Sequence, residues 1–197
     1  MSLKILGTGS ALPAMVRTND DLAAFLDTSD EWISTRTGIK QRHILGDETL
    51  LSVAVKAAHS ALENAGLHAE QLDYIICPTV GGDYITPSLA CLVQKEIGAN
   101  CPAMDVNGAC SGFIYGLDVA AAMLASGRAR HILLLAAEGI TRLADWSDRS
   151  TCVLFGDGAG AAVPGQGEDL LFMHVTSDGW AEPLNAPPPT SRSPPLP

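Results

Sequence analysis

Asp105-Val106-Asn107-Gly108-Ala109-Cys110-Ser111-Gly112-Phe113 is the stretch whose reading decides the fold. Ala103–Val106 reads as a short buried strand, and the almost uncharged run that follows reads as a helix from about Ser111 to Ser126, stopped at Gly127. Cys110 sits at the handover. A thiol at the head of a helix faces the positive end of the helix dipole, which favours the nucleophilic thiolate. Gly108, Ala109, Ser111 and Gly112 are small enough to let a substrate and backbone donors come close. A buried cysteine is most often an inert small hydrophobe. Its context separates Cys110 from Cys77, Cys91, Cys101 and Cys152.

Outward from this stretch, apolar strand-like runs alternate with helical ones. Leu3–Leu6 reads as a strand. Thr18 can cap a short helix through Leu26, and Ser29 can cap another that carries Trp32 and Ile33. Thr49 caps a long amphipathic helix with an apolar face of Leu51, Val55, Ala58, Leu62 and Ala65, ended by Gly66. Tyr74–Cys77 is the next strand. Thr86-Pro87 then supplies a capping hydroxyl and a first-turn proline for a helix ending at Gly98. His131–Ala137, Thr151–Phe155, Gly160–Val163 and Leu170–Val175 read as further strands. This alternation implies an α/β fold around a mostly parallel sheet.

Composition narrows the function. The chain has 197 residues, 47% hydrophobic and 17% charged, which suits a well-buried globular domain. A net charge of −10 lacks the basic footprint that nucleic acid demands. No apolar run reaches the length of a membrane span, and Met1–Ile5 opens directly into a strand rather than a leader. Five scattered cysteines with no C-x-x-C pair point away from a disulfide framework or a zinc site, and toward a reducing cytoplasm. Residues 1–179 are expected to form the folded part. Residues 180–197 hold seven of the twelve prolines and are expected to be extended or disordered.

The helix after Cys110 is apolar nearly all round: Phe113, Ile114, Leu117, Val119, Ala120, Ala121, Met123 and Leu124, with Asp118 as its one charge. Such a helix belongs inside a core covered from both sides. Leaving several of these side chains wet forgoes about 1.5–3 kcal/mol each, so a partner surface is expected.

Taken in order, the motifs resemble the first half of a thiolase-fold condensing enzyme of the β-ketoacyl-[acyl-carrier-protein] synthase III family. They are Gly7-Thr8-Gly9-Ser10, Asp27-Thr28-Ser29-Asp30-Glu31-Trp32-Ile33, Arg36-Thr37-Gly38-Ile39 and Gln41-Arg42-His43-Ile44. The Pro87-Ser88 helix start, Gly108-Ala109-Cys110-Ser111-Gly112-Phe113 and Phe155-Gly156-Asp157-Gly158-Ala159-Gly160-Ala161-Ala162 complete them. The resemblance implies a βαβαβαββ half with a buried central helix. It implies that Cys110 takes an acyl group from acyl-coenzyme A as a thioester, which malonyl-acyl carrier protein then condenses with after losing carbon dioxide. No permanently bound cofactor or metal is implied. A cytoplasmic homodimer is.

The resemblance also places Trp32, Arg36 and Arg149 at the coenzyme A entrance, with Thr28 as a nearby hydroxyl. Trp32 and Arg149 would sandwich the adenine, and Arg36 would meet a phosphate. Read from the residues alone, Trp32 is first a core aromatic on a short helix, and Arg149 a surface ion pair of Asp145 or Asp148. Thr86 is implied near the acyl pocket, although an N-cap explains it as well. The Gly156–Gly160 run opens no helix, so it is a tight turn or close backbone packing rather than a phosphate loop, with Asp157 a turn residue in preference to a buried acid. The histidine and asparagine that the family uses to stabilise the enolate have no counterpart among His43, His59, His68, His131 and His174. Two other functions therefore stand beside the first. One is a quinolone- or polyketide-starter condensing enzyme, the other a non-catalytic dimerisation fragment.

Overall fold

Thr49 accepts a hydrogen bond from the Ser52 amide, and Gly66 closes the helix in the left-handed conformation, so α3 spans Leu50–Ala65. The computed structural model describes residues 3–179; the expectation for residues 180–197 lies outside them. The remaining elements are β1 (Lys4–Ala11), β2 (Met15–Thr18), α1 (Asn19–Ala23), α2 (Asp30–Thr37), β3 (Gln41–Ile44), β4 (Tyr74–Pro78), α4 (Leu89–Ile97), β5 (Ala103–Val106), α5 (Gly112–Ala125), β6 (Ile132–Gly139) and β7 (Asp157–Gly165).

Five strands form one sheet in the order β1-β7-β6-β4-β5. The sheet is mixed: β4 runs parallel to β5 and β6, while β7 is antiparallel to β6 and β1. Ile75, Ile76 and Leu133–Leu135 on the two central strands are fully buried. Both faces of these strands are covered, which is why they read as unbroken apolar runs. α3 and α4 pack on one face. α5 packs on the other.

Glycines set how closely α3 approaches the sheet. A Cβ on Gly7 would lie 2.6 Å from the Ala61 carbonyl oxygen, and one on Gly9 would lie 2.5 Å from that of Ala57. Backbone therefore rests on backbone. The fully buried line of α3 runs Leu50, Val53, Ala54, Ala57, Ala58 and Ala61, with Leu51, Val55 and Ala65 only half-buried. The expected face is rotated because the positions above Gly7 and Gly9 must carry small residues.

Acids outside the helices, Asp105 on β5 and Asp83 in the loop after β4, cap both helices of this layer. Asp105 accepts from the Leu89 and Ala90 amides, both at 2.8 Å. Asp83 accepts from Leu50 and Leu51 at 3.1 and 2.8 Å and from Arg142 at 2.6 Å. Burial pushes the Asp83 carboxyl up, but Arg142 and the two amides outweigh it and hold it below the ordinary carboxylate value. A depressed carboxyl contributes stability that is in place above its unfolded-state pKa and is lost as pH falls through the folded one. Asp83→Asn is therefore expected to flatten the acid side of the stability profile, read by urea unfolding from neutral pH downward.

Several expectations are corrected. Ser88, not Thr86, caps α4, accepting from the Cys91 amide; Thr86 and Pro87 precede the helix. Thr151–Phe155 is not a strand. Asp148 accepts from the Ser150 amide and the Thr151 hydroxyl, and these local bonds fold the run into a 3₁₀ turn at Cys152–Leu154. Leu170–Val175 forms no strand: the Asp169 and Leu170 amides bond Leu3, and the segment then leaves the sheet. Gly158 and Gly160 lie in β7 with no left-handed glycine in the run, which removes the tight turn and leaves close packing: a Cβ on Gly156 would lie 3.1 Å from the His43 carbonyl oxygen, and Asp157 is buried. Its carboxylate accepts from the Leu45 amide (2.8 Å), the Thr141 amide (3.0 Å) and the Thr141 hydroxyl (2.5 Å), tying the end of β3 to the end of β6.

Among the described residues, α5 is covered on one side only. Gly112, Gly116, Ala120, Ala121 and Leu124 are buried against the sheet, Phe113, Leu117, Val119 and Met123 are half-buried, and Ile114 remains 47% exposed.

Candidate active site

β4 and β5 end level with each other while β6 runs on to Gly139, and Cys110 leaves from that edge, where open α/β sheets place their ligands. The Thr79 amide bonds the Val106 carbonyl at 3.1 Å, so the end of β4 is laced to the last residue of β5. Ala109–Ser111 then forms a single 3₁₀ turn, closed by the Ser111 amide on the Gly108 carbonyl, before α5 starts at Gly112. Cys110 is exposed within this turn, immediately ahead of the helix.

Ala109 has φ +45°, the left-handed region that costs a side-chain-bearing residue about 1–2 kcal/mol. Strain of this kind persists only where the surroundings over-determine it. They do so here through close packing. A Cβ on Gly108 would strike the Tyr115 ring at 2.6 Å, and one on Gly112 would press Pro78 at 3.1 Å. The small residues around Cys110 therefore serve the packing of the elbow itself. The other thiols are differently placed: Cys77 and Cys152 are buried, Cys101 is partly so, and exposed Cys91 donates to the Ala103 carbonyl. Burial pushes the Cys77 thiol far up, with Asp105 and Glu138 adding to it.

A second group of residues lies on α1, α2 and the β2–β3 hairpin. Buried Arg42 on β3 donates to Asn19 at 2.8 Å and to the Arg17 and Val153 carbonyls at 3.2 Å. Asn19 in turn donates to Asp30 (2.8 Å) and to the Ile39 carbonyl (2.7 Å). This network fixes α2, and α2 presents Trp32. The Arg36 guanidinium lies 4.5 Å from the Trp32 ring centroid and that of Arg149 lies 5.1 Å away. The structure thus brings Trp32, Arg36 and Arg149 together. Trp32 is half-buried against Leu22, Ile33 and Cys152, so it serves the local core as well.

Arg149 does not pair with Asp145 or Asp148, whose carboxylates are engaged by Ser147 and Ser150. It pairs with Asp27, through both the carbonyl and the carboxylate. An aromatic ring between Trp32 and Arg149 needs a contact distance of about 3.5 Å on each side. The sandwich implied for them therefore requires Arg149 to release Asp27 and withdraw. Thr28, on the same loop, has a buried hydroxyl without a hydrogen-bond partner. Thr86 is exposed beside Ile85, itself fully exposed. Sequence reasoning missed Glu138, which reaches the end of β4 from the end of β6: the Val80 amide donates to it at 2.8 Å.

Among the described residues no group of His, Cys, Asp and Glu is arranged to hold a metal ion, and no helix is long and apolar enough to cross a membrane.

Comparison with known proteins bears on the fold and the family. The family described as 3-oxoacyl-[acyl-carrier-protein (ACP)] synthase III matches residues 104–179. The β-ketoacyl-[acyl-carrier-protein] synthase III of Xanthomonas euvesicatoria is 51% identical over 180 residues, which cover 89% of this chain and 55% of that protein. The crystal structure of the Aquifex aeolicus 3-oxoacyl-[acyl-carrier-protein] synthase III superposes with a TM-score of 0.83 at 52% identity, covering 85% of this chain and 55% of that one. The priming β-ketosynthase of the R1128 polyketide pathway superposes with a TM-score of 0.81 at 39% identity, covering 85% and 51%. The chain spans about half the length of the curated relatives it matches. With its sheet order, its central α5 and its Cys110 elbow, the chain has a thiolase-like fold and belongs to the β-ketoacyl-[acyl-carrier-protein] synthase III family.

Proposed function

We propose that Cys110 is the acyl acceptor of a condensing enzyme that starts fatty-acid synthesis. In the first step the Cys110 sulfur attacks the carbonyl carbon of acyl-coenzyme A. The tetrahedral intermediate collapses, the bond from carbon to the coenzyme A sulfur breaks, and coenzyme A leaves with a proton while the acyl group stays as a thioester. In the second step, malonyl on acyl carrier protein loses carbon dioxide, and its carbanion attacks that thioester and releases the Cys110 sulfur. Trp32, Arg36 and Arg149 receive the nucleotide end of coenzyme A, Thr28 supplies a hydroxyl there, and Thr86 belongs to the acyl-pocket side. The site works without a permanently bound cofactor, in a cytoplasmic homodimer.

The observation that carries this reading is the exposed Cys110 in a strained, closely packed turn at the carboxyl edge of the sheet. The test is a single-turnover incubation with acetyl-coenzyme A: one equivalent of free coenzyme A per chain is expected, and none overturns the reading. Trp32→Ala is expected to raise the acetyl-coenzyme A concentration for half-maximal release about tenfold, since a stacked, partly desolvated contact contributes 1–2 kcal/mol. The R1128 priming enzyme supports a second reading, in which the same thioester serves a polyketide starter reaction. Offering malonyl carriers and alternative acceptors to the acylated protein separates the two.

A further inference from the structure

We propose that Glu138 is a positioning residue for Cys110, acting through the segment Pro78–Val80. The inference rests on the reading of Cys110 as nucleophile only for its catalytic consequence, because the mechanical link stands on its own contacts. Glu138 sits at the end of β6 and accepts the Val80 amide at 2.8 Å. The segment it holds is a wedge. The Thr79 amide bonds the Val106 carbonyl, four residues before Cys110. Pro78 fills the space that a Cβ on Gly112 or Gly116 would occupy, at 3.1 and 3.0 Å. The wedge therefore touches the strand that enters the Cys110 turn and the helix that leaves it. Between these two contacts lies Ala109, in a conformation it would not adopt freely.

The mechanism uses no atom of Glu138, yet a half-buried acid at this edge is not there for packing alone. Its Oε2 is buried without a hydrogen-bond partner, and burial pushes its carboxyl up despite the Val80 amide. An apolar side chain of similar size would avoid both penalties, but it could not accept the Val80 amide.

The experiment uses the full chain with Glu138→Ala, Glu138→Gln, Ala109→Gly and the Glu138→Ala/Ala109→Gly pair. Three quantities are read: the unfolding midpoint, the rate of Cys110 alkylation by iodoacetamide located by mass spectrometry, and acetyl uptake from acetyl-coenzyme A. Glu138→Ala is expected to slow Cys110 alkylation about tenfold below its unfolding range, since small misplacements at a reacting atom carry effects of this order or larger. Glu138→Gln, which keeps an oxygen for the Val80 amide, is expected to stay within about twofold of wild type. Ala109→Gly is expected to recover most of the Glu138→Ala loss, because glycine holds φ +45° unaided. A purely structural role would leave the two substitutions additive. Glu138→Ala alkylating at the wild-type rate, or no recovery in the pair, overturns the proposal. Should Glu138→Ala fail to fold, Pro78→Ala with and without Ala109→Gly makes the comparison at the contact of the wedge with α5. If wild type takes up no acetyl while the alkylation pattern holds, the acyl-transfer reading falls and the positioning role stands.

Discussion

Gly9→Ala is expected to destabilise the protein by at least about 3 kcal/mol, near the top of the range for overpacking. The new methyl would lie 2.5 Å from the Ala57 carbonyl oxygen and closer still to the Ala61 amide, and both belong to the backbone of α3. A flexible side chain could turn away. A helix backbone in the middle of a layer cannot, because α3 is held at its start by Asp83 and along its length by the fully buried Val53, Ala54, Ala57 and Ala58. Relief requires lifting α3 off β1 and β7, which opens the largest core of the molecule. Urea unfolding should show the loss as a lower midpoint at unchanged slope. Gly160→Ala is the internal control: its Cβ would meet nothing within 4 Å, so a small effect is expected from the same chemistry in the same sheet.

Cys110→Ala is expected to abolish acyl uptake, a fall of at least about a thousandfold, since removal of a nucleophile that carries a covalent intermediate leaves only binding and electrostatic stabilisation. The fold should be nearly unaffected, because Cys110 is exposed and the turn is held by Gly108, Ser111 and Tyr115 rather than by the sulfur. Cys91→Ala tests specificity: Cys91 is also exposed but lies on α4, where its thiol is engaged with the Ala103 carbonyl. Uptake is expected to survive that change. Equal losses in both variants would remove Cys110 from its proposed role.

The parts of the fold that were legible in the sequence are those specified locally. Thr49 and Gly66 bracket α3 because a cap hydroxyl and a left-handed glycine act within one turn. The alternation of strand and helix reported the α/β class for the same reason. What was misread was decided by side-chain bonds that hydrophobic patterning does not report, some local and some long-range. Cys152-Val153-Leu154-Phe155 has the apolar run of a buried strand, yet Asp148 engages the neighbouring Ser150 and Thr151 and leaves a turn. Gly156-Asp157-Gly158 has the composition of a turn, yet β7 starts within it and carries Asp157 inside, where the Leu45 and Thr141 amides bond its carboxylate. The β2–β3 hairpin lacks a clean apolar alternation because Arg42 is its buried residue.

The site shows the same division. Cys110 was legible because the strand, the nucleophile and the helix are contiguous. Trp32 and Arg36 were nameable through the resemblance, and their meeting follows from helical spacing on α2. That Arg149 pairs with Asp27 across 122 residues, and that Glu138 holds Val80 across 58, could come only from the folded chain.

The central claim is that the exposed sulfur in the strained turn ahead of α5 takes up an acyl group. Its most direct test is proteolysis of the protein after exposure to acetyl-coenzyme A, with the acetyl group located by mass spectrometry under conditions that preserve thioesters. The expected result is a single acetyl group on the peptide carrying Cys110 and none on those carrying Cys77, Cys91, Cys101 or Cys152. Acetyl on Cys91 instead, or on no cysteine at all, would contradict it.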